Sequence, residues 1–156
     1  MERIAVIVLW SLVLMSGIMA GGSIFERVVI SPLWAGALPE SVTSWPHGPI
    51  QRPFFAVATP LWALLSLATF GLSFAMPAPA RPWARVAGVI GVGVMIWTAT
   101  FFIPLVMKTM ANRGAGLSGE EITRFASQFV NWGILRTALL LGGWVAAIRA
   151  LLITSR

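Results

Sequence analysis

The sequence predicts an all-α integral membrane protein, an up-down bundle of four transmembrane helices. Hydrophobic residues make up 58% of the 156 residues and charged residues only 10%, a composition that a soluble domain of this size could not cover with a polar surface. The chain also contains four long apolar stretches, and a helix needs about 20 apolar residues to cross a hydrocarbon core of about 30 Å. We therefore expect residues 1–156 to form a single four-helix membrane domain.

The apolar stretches and the prolines between them set the expected spans, which are 4–30, 54–75, 83–107 and 119–153. Pro32 is expected to end the first span, because a proline ring disfavours helix at the preceding residue. Residues 31–49 are rich in proline and glycine and are expected to form an irregular loop that lies on the membrane surface or folds over the helix ends. Pro60 lies inside the second span, where it predicts a kink or a polar gap.

Two local signals fix the later connections. The proline-rich stretch 77–82 predicts a short, stiff turn, which makes the second and third spans antiparallel neighbours. Ser118 and Glu121 have the S-x-x-E spacing of a capping box, in which each residue satisfies a free backbone donor of the other. The fourth helix is therefore expected to begin at this point.

Small residues at helical spacing predict where helices approach one another closely in lipid. They are Gly17 and Gly21 in the first span and Ala87, Gly91 and Gly93 in the third. A signal peptide cleaved near residues 19–21 is the alternative interpretation of the first span. The apolar run is long for a signal peptide, and cleavage would remove the Gly17 and Gly21 surface.

The net charge of +6 does not indicate nucleic-acid binding, because the basic residues stand singly at the ends of apolar runs, as membrane topology requires. The two expected sides of the bundle carry the same number of basic residues, lysine and arginine counted together, so the positive-inside rule does not decide the orientation. The short basic turn at 76–83 favours both termini in the cytoplasm, in a bacterial inner membrane. The absence of cysteine excludes disulfides, thiolate nucleophiles and thiolate metal ligands.

Arg136 is the strongest signal of a site, because a charge at that depth in a span is costly and normally faces the bundle interior with a partner. Glu26 is the expected partner, since it lies at the same end of the first helix, in line with Met15, Met19 and Gly22. Three interpretations remain open. The pair only holds helices together, it binds or reacts with a ligand, or Arg136 extends to the membrane surface.

His47 is the only histidine, which excludes bis-histidine haem and three-histidine zinc within a monomer. It lies in the loop 45–49 and is either an exposed loop residue or a general base near neutral pH. The sequence has no phosphate loop, hydrolase elbow, zinc-protease motif or dinucleotide pattern. No metal and no cofactor are expected.

Other polar and aromatic candidates for substrate binding collect at the same end of the predicted bundle. They are Trp34, Arg52, Asn112, Asn131 and Trp132, with Trp45 in the loop. At 100° per residue Trp132 shares a helix face with Phe129 and Arg136, whereas Asn131 points away. Trp132 belongs either to an interfacial aromatic belt or to a pocket. The pocket is expected between the first, second and fourth spans, open toward the 31–49 and 108–118 loops.

Three segments, Glu26–Trp34, Phe101–Pro104 and Asn131–Leu139, resemble the DUF1772 family, which is also called anthrone oxygenase-like. The resemblance covers almost the whole chain in length and order of helices. It implies a four-helix membrane protein related to enzymes that oxidise a polycyclic anthrone to the quinone with O₂, without metal or flavin. Glu26, Pro32, Trp34, Pro104, Asn131 and Arg136 lie in the matching segments.

In that chemistry a base removes an acidic C–H proton, the anion reacts with O₂, and a cation stabilises the oxyanion or peroxide. Glu26 or His47 would be the base and Arg136 the cation. The expected partners are membrane lipid and a lipophilic aromatic molecule, and a homo-oligomer is left open. The competing interpretation is a non-enzymatic membrane protein, either a lipid or quinone binder or an accessory subunit.

Overall fold

The structure, a computed structural model, describes residues 2–44 and 52–155. Four helical segments in these ranges are long and apolar enough to cross a membrane, and we call them the first to fourth spans. They are Arg3–Ala35, Pro53–Ala75, Arg81–Ala111 and Gly119–Thr154. Regular structure in the described ranges is entirely helical. The predicted all-α membrane bundle of four helices is thereby confirmed.

The four spans form a closed ring in which each packs against the next and the fourth packs against the first. The second and third spans are joined by a tight turn in which the Ala80 N–H donates to the Pro77 carbonyl at 3.0 Å. They are neighbours, as the proline-rich stretch predicted. Ala5, Met76 and Ala150 share one buried cluster, so the two chain ends and this turn lie at the same end of the bundle. We call this the termini end and the opposite end the loop end.

Pro32 does not end the first span, contrary to the sequence prediction. The α-helix Glu2–Phe25 passes into a π-helical turn, Glu26–Ile30, and then into the α-helix Ser31–Ala35. Ser31 keeps helical backbone angles, φ −59° and ψ −40°, and its N–H donates to the Glu26 carbonyl. The i to i+5 bonds of the π turn keep the helix intact directly before a residue that has no N–H.

The same arrangement recurs in the third span. Its α-helix Arg81–Trp97 is followed by a π-helical turn, Thr98–Phe102, and by the α-helix Ile103–Val106, which contains Pro104. A last π-helical turn, Met107–Ala111, carries the span beyond the predicted end at Met107. Pro32 and Pro104 are thus each the second residue after a π turn, and at both positions the span continues.

The expected loop at 31–49 is partly helical. Besides Ser31–Ala35 there is a short α-helix, Glu40–Ser44, while residues 45–49 lie outside the described ranges. The Ser41 hydroxyl donates to the Trp34 carbonyl at 2.5 Å. Val42 is fully buried beside Trp34, so the described part of this segment folds over the helix ends, one of the two predicted arrangements.

The second span comprises the α-helix Arg52–Leu72 and a 3₁₀ turn, Ser73–Ala75, close to the predicted 54–75. The helix is continuous through Pro60. Pro60 cannot donate to the carbonyl of Ala56, and both residues line the main cleft described below.

The fourth helix runs from Gly119 to Thr154 and begins with the predicted capping box. The Glu121 N–H donates to the Ser118 hydroxyl at 3.2 Å, and the Ser118 N–H donates to the Glu121 carboxylate at 2.9 Å. The local S-x-x-E pattern was sufficient to place this helix start.

The small residues predicted in the first span are only half correct. A Cβ added at Gly17 would lie 3.2 Å from Trp144 of the fourth span, so this glycine does allow a close approach. Gly21 has nothing within 4 Å of that position, whereas a Cβ at Gly22 would lie 2.8 Å from the Phe54 ring. The glycine that allows a close approach to the second span is therefore Gly22, one residue after the predicted Gly21.

The prediction for the third span is correct at two positions of three. Ala87 is buried, and a Cβ at Gly91 would overlap the Ser66 side chain of the second span. Gly93 has nothing within 4 Å of an added Cβ and is not a contact. Gly88, which was not predicted, is one, because its Cβ would lie 2.9 Å from the Ser66 carbonyl oxygen.

Candidate functional site

Arg136 lies on the buried face of the fourth helix, and its residue surface is only 8% exposed. The buried positions around it recur every three or four residues, the spacing of one helix face. They are Ala126, Phe129, Gly133, Leu140 and Gly143. The arginine is thus enclosed within the bundle, and the interpretation in which it extends to the membrane surface does not fit this position.

Glu26 faces Arg136 across the bundle, as the sequence predicted. Its Oε2 lies 3.6 Å from the Arg136 Nη2, and the residue is 5% exposed. The Ser31 hydroxyl donates to the Glu26 Oε1 at 3.3 Å. Charge-assisted hydrogen bonds are about 2.7–2.9 Å long, so the two groups form an ion pair without closing into a tight hydrogen bond.

Aromatic rings surround the guanidinium group. The Arg136 Cζ lies 4.5 Å from the centroid of Phe102, 5.9 Å from that of Phe55 and 6.0 Å from that of Phe129. Ring faces attract a cation, most strongly where water is excluded. The Arg136 Nε–H is buried and has no hydrogen-bond partner within the described ranges. The guanidinium is therefore only partly satisfied by groups of the described chain.

Hydrogen bonds between spans fix the surroundings of the ion pair. The hydroxyls of Ser23 and Thr137 lie 2.7 Å apart and join the first and fourth spans. Arg27 donates from Nη1 to the Val130 carbonyl at 2.9 Å, between the same spans. Both bonds are partly buried, and hydrogen bonds within proteins each contribute about 1 kcal/mol. They hold the π turn that carries Glu26 against the helix that carries Arg136.

The ion pair lies at the inner end of a cavity of about 740 Å³, which we call the main cleft. Its outer walls are formed mainly by the second and third spans, and all four spans contribute to its inner end. The buried residues that line it are Met19, Glu26, Trp62, Ala63, Val94, Phe102, Phe129, Arg136 and Leu140. Ligand sites of about 300–1,000 Å³ with apolar walls and a few polar groups are the usual form for small molecules.

The main cleft opens on the flank of the bundle, between the second and third spans. Of its outer residues, Leu64 is 65% exposed and Ile103 is 52% exposed. Both stand within helices that are long and apolar enough to cross a membrane. The sequence prediction placed the pocket between the first, second and fourth spans and opened it toward the loops. The structure instead makes the third span a principal wall.

A second cavity, of about 560 Å³, lies between the first and second spans and also reaches Glu26. We call it the side cleft. Gly21 and Gly22 of the first span and Phe54 of the second line it, and Phe55 lines both cavities. The Glu26 carboxylate is therefore approached from two sides, with the Phe55 ring between them.

Four of the other predicted site residues are described by the structure and do not line the main cleft: Trp34, Asn112, Asn131 and Trp132. Trp34 is 1% exposed and packs against Phe129 at a ring distance of 6.2 Å, in the apolar cluster at the loop end. Trp132 is 48% exposed and stacks edge-on against Trp97 at 5.9 Å, which favours the interfacial belt. Asn112 and Asn131 are exposed as well.

The structure does not test the predictions for three further residues. His47 and Trp45 lie outside the described residues. Arg52 is the first residue of its helix. Among the described residues no group of three histidine, cysteine, aspartate or glutamate side chains is arranged to hold a metal ion.

Several residues of the main cleft were not predicted from the sequence. Phe55, Thr59 and Trp62 line it from the second span, and their spacing of four and three residues is that of one helix face. That periodicity was a usable signal. The Trp62 Nε1–H donates to the Ser16 hydroxyl at 2.9 Å, which orients the indole at the inner end of the cleft.

No protein-family model, curated protein or solved structure matches this chain. The resemblance of three short segments to the anthrone oxygenase-like family therefore remains a prediction.

Proposed function

We propose that the protein binds a flat, lipophilic aromatic molecule in the main cleft and oxidises it with O₂ in a cofactor-independent reaction. The observation that carries the proposal is the placement of Glu26 and Arg136 at the inner end of an apolar cavity inside the bundle. The resemblance to anthrone oxygenases supports the same chemistry. The proposal assigns Glu26 as base and Arg136 as the group that stabilises negative charge.

The binding half of the proposal is supported by the shape and composition of the cleft. Phe55, Trp62, Phe102 and Phe129 all contribute to its walls. Aromatic side chains pack well against flat aromatic ligands and prefer offset or edge-on ring contacts. Arg136 also lines the cleft, and its guanidinium N–H groups offer directional contacts to a ligand oxygen.

The chemical half assigns each step to a group in the cleft. The Glu26 carboxylate takes a proton from a CH₂ group flanked by aromatic rings and conjugated to a carbonyl, and Arg136 stabilises the enolate oxygen. The carbanion carbon forms a C–O bond to O₂, and Glu26 returns the proton to the peroxide. Loss of the second C–H proton with cleavage of the O–O bond gives C=O and water. The substrate is oxidised and O₂ is reduced.

The ion-pair geometry is compatible with a base at Glu26. At 3.6 Å from the Arg136 Nη2, the Glu26 Oε2 does not accept a short hydrogen bond from the guanidinium. Its lone pairs remain available for a substrate proton. The side cleft gives a second approach to the same carboxylate.

The second candidate is a non-enzymatic protein that binds a lipid or a quinone. The opening of the main cleft among exposed residues of the apolar spans favours it, because any lipophilic molecule has access there. In this case the Glu26–Arg136 pair would only orient the ligand and hold the helices.

Turnover of anthrone by the purified protein distinguishes the proposed oxygenase from the non-enzymatic binding protein. We expect the protein in nanodiscs to consume O₂ and to form anthraquinone in equal amounts, above the spontaneous oxidation of anthrone in empty nanodiscs. Binding of anthrone or anthraquinone without O₂ uptake would favour the non-enzymatic candidate. If neither compound binds, both halves of the proposal fail.

We further propose that both termini face the cytoplasm, in a bacterial inner membrane. The short turn at the termini end carries Arg81 and Arg85, and a short basic turn favours the cytoplasmic side. Reporters fused after Arg81 and after Arg156 should both give a cytoplasmic signal, and a reporter at Gly116 the opposite one. The inverse pattern would reverse the orientation, and a mismatch between the first two reporters would remove a span.

A further inference from the structure

We infer that the main cleft takes up its ligand directly from the hydrocarbon layer, through the gap between the second and third spans, and that the ligand goes in with an oxygen acceptor leading toward Arg136. The inference rests on the binding half of the proposed function and does not require catalysis. It names the route and the ligand class: a membrane-dissolved aromatic molecule that carries a carbonyl or phenolate oxygen.

The rim of the cleft has the form of an opening to lipid. Ala56 and Leu64 of the second span face Ala99 and Ile103 of the third, and all four are exposed. Alanine on both sides keeps the gap wide at this height. Each of these residues lies within a stretch long and apolar enough to cross a membrane, and Leu64 is at the middle of the second span, a position that lipid tails reach in a bilayer.

The route from the loop end is filled. A buried apolar cluster lies between the ion pair and that end, and it includes Trp34, Val42, Phe102, Ile122 and Phe129. Phe102 and Phe129 belong to this cluster and also contact the Arg136 guanidinium. Interiors packed in this way leave few gaps larger than a water molecule, so in the described part of the chain the main cleft opens on the flank and not toward the loop end. The side cleft is a separate opening that reaches Glu26, and Phe55 lines both cavities.

Arg136 at the inner end of the main cleft favours a ligand that carries an oxygen acceptor. Arg136 is 8% exposed and lines the cleft, and its Nη2 lies 3.6 Å from the Glu26 Oε2, too far for a tight hydrogen bond. A buried charged donor without a close acceptor is costly, and a ligand oxygen in the cleft would remove part of that cost. A hydrocarbon chain alone would not. The site therefore favours an oxygen-bearing aromatic over a lipid tail of similar volume.

The test measures binding of 9,10-anthraquinone to the full-length protein in nanodiscs by quenching of tryptophan fluorescence in stopped flow. Ala99→Trp places a large side chain on the rim, and Gly93→Trp is the matched control, because Gly93 is exposed on the same span and has nothing near its Cβ position. We expect Ala99→Trp to slow both association and dissociation by about tenfold or more, with a smaller change in affinity. Gly93→Trp should change neither rate.

Ala56→Trp narrows the gap from the opposite side and should reproduce the effect, which guards against poor folding of one variant. Unchanged rates in both rim variants would overturn uptake from lipid while leaving the proposed binding intact. A loss of affinity caused by faster dissociation alone would make these residues ligand contacts and would also overturn it. If the unmodified protein binds no anthraquinone, the proposed function fails first.

Anthracene, which has the same rings without oxygen, tests the orientation. At equal concentration in the bilayer it should bind about tenfold or more weakly than anthraquinone, because a hydrogen bond from a charged donor is lost. Equal binding of the two compounds would overturn the oxygen-first arrangement.

Discussion

Replacing Arg136 with methionine is expected to cause a large loss of stability, measured as a fall in the thermal unfolding midpoint in detergent. The substitution leaves the Glu26 carboxylate buried without its counter-charge. In soluble proteins, removal of one partner of a buried ion pair costs about 3–5 kcal/mol. Glu26→Gln should destabilise as well, because the guanidinium then keeps only ring faces around its charge.

The double variant Glu26→Gln/Arg136→Met is expected to lose less stability than the sum of the two single variants, since it leaves no buried charge unpaired. Arg149→Met is the matched control: Arg149 lies on the same helix, is exposed and stacks on Trp83 at 5.6 Å. Its loss should stay within about 1 kcal/mol. Strictly additive effects of the Glu26 and Arg136 substitutions would mean that the two residues are not energetic partners.

Much of the fold followed from the sequence because its causes are local or compositional. Apolar stretches of membrane length gave the number of spans, and the Ser118–Glu121 box gave the start of the fourth helix. Pro32 was misjudged for a different reason. Its effect depends on whether the preceding turn can widen, and the structure shows that Glu26–Ile30 does so as a π turn. The rule used for the prediction considers only the residue directly before the proline and not the conformation of the preceding turn.

The ion pair was predictable and the cleft was not. A charge within an apolar span requires a partner, and Glu26 was the acid at the right height. The role of Phe102 was hidden because it follows residues 98–101 within a π turn. Such a turn adds a residue to the helix, so side chains beyond it rotate by about 100° relative to the α-helical count. The wall that the third span contributes depends on that rotation.

Glu26→Gln is expected to abolish oxidation of anthrone while preserving binding of anthraquinone. Glutamine has nearly the same shape and keeps a carbonyl oxygen that can accept from Ser31, as the Glu26 Oε1 does at 3.3 Å. It cannot accept a proton from carbon. General-base catalysis contributes about 10²–10⁴-fold to a rate, so turnover per folded molecule should fall by at least about 100-fold. The aromatic walls are unchanged, and affinity should change by only a few-fold.

Two controls separate loss of the base from loss of structure. Glu121→Gln removes a carboxylate from the remote capping box and should leave turnover per folded molecule unchanged. His47→Ala tests the competing base, and we expect a lesser effect than at Glu26, because water can replace a loop histidine more readily than a buried carboxylate. If Glu26→Gln lowers only thermal stability, with turnover per folded molecule intact, Glu26 is not the base. The ion pair is then structural, since its remaining function is to hold the first and fourth spans together around the cleft.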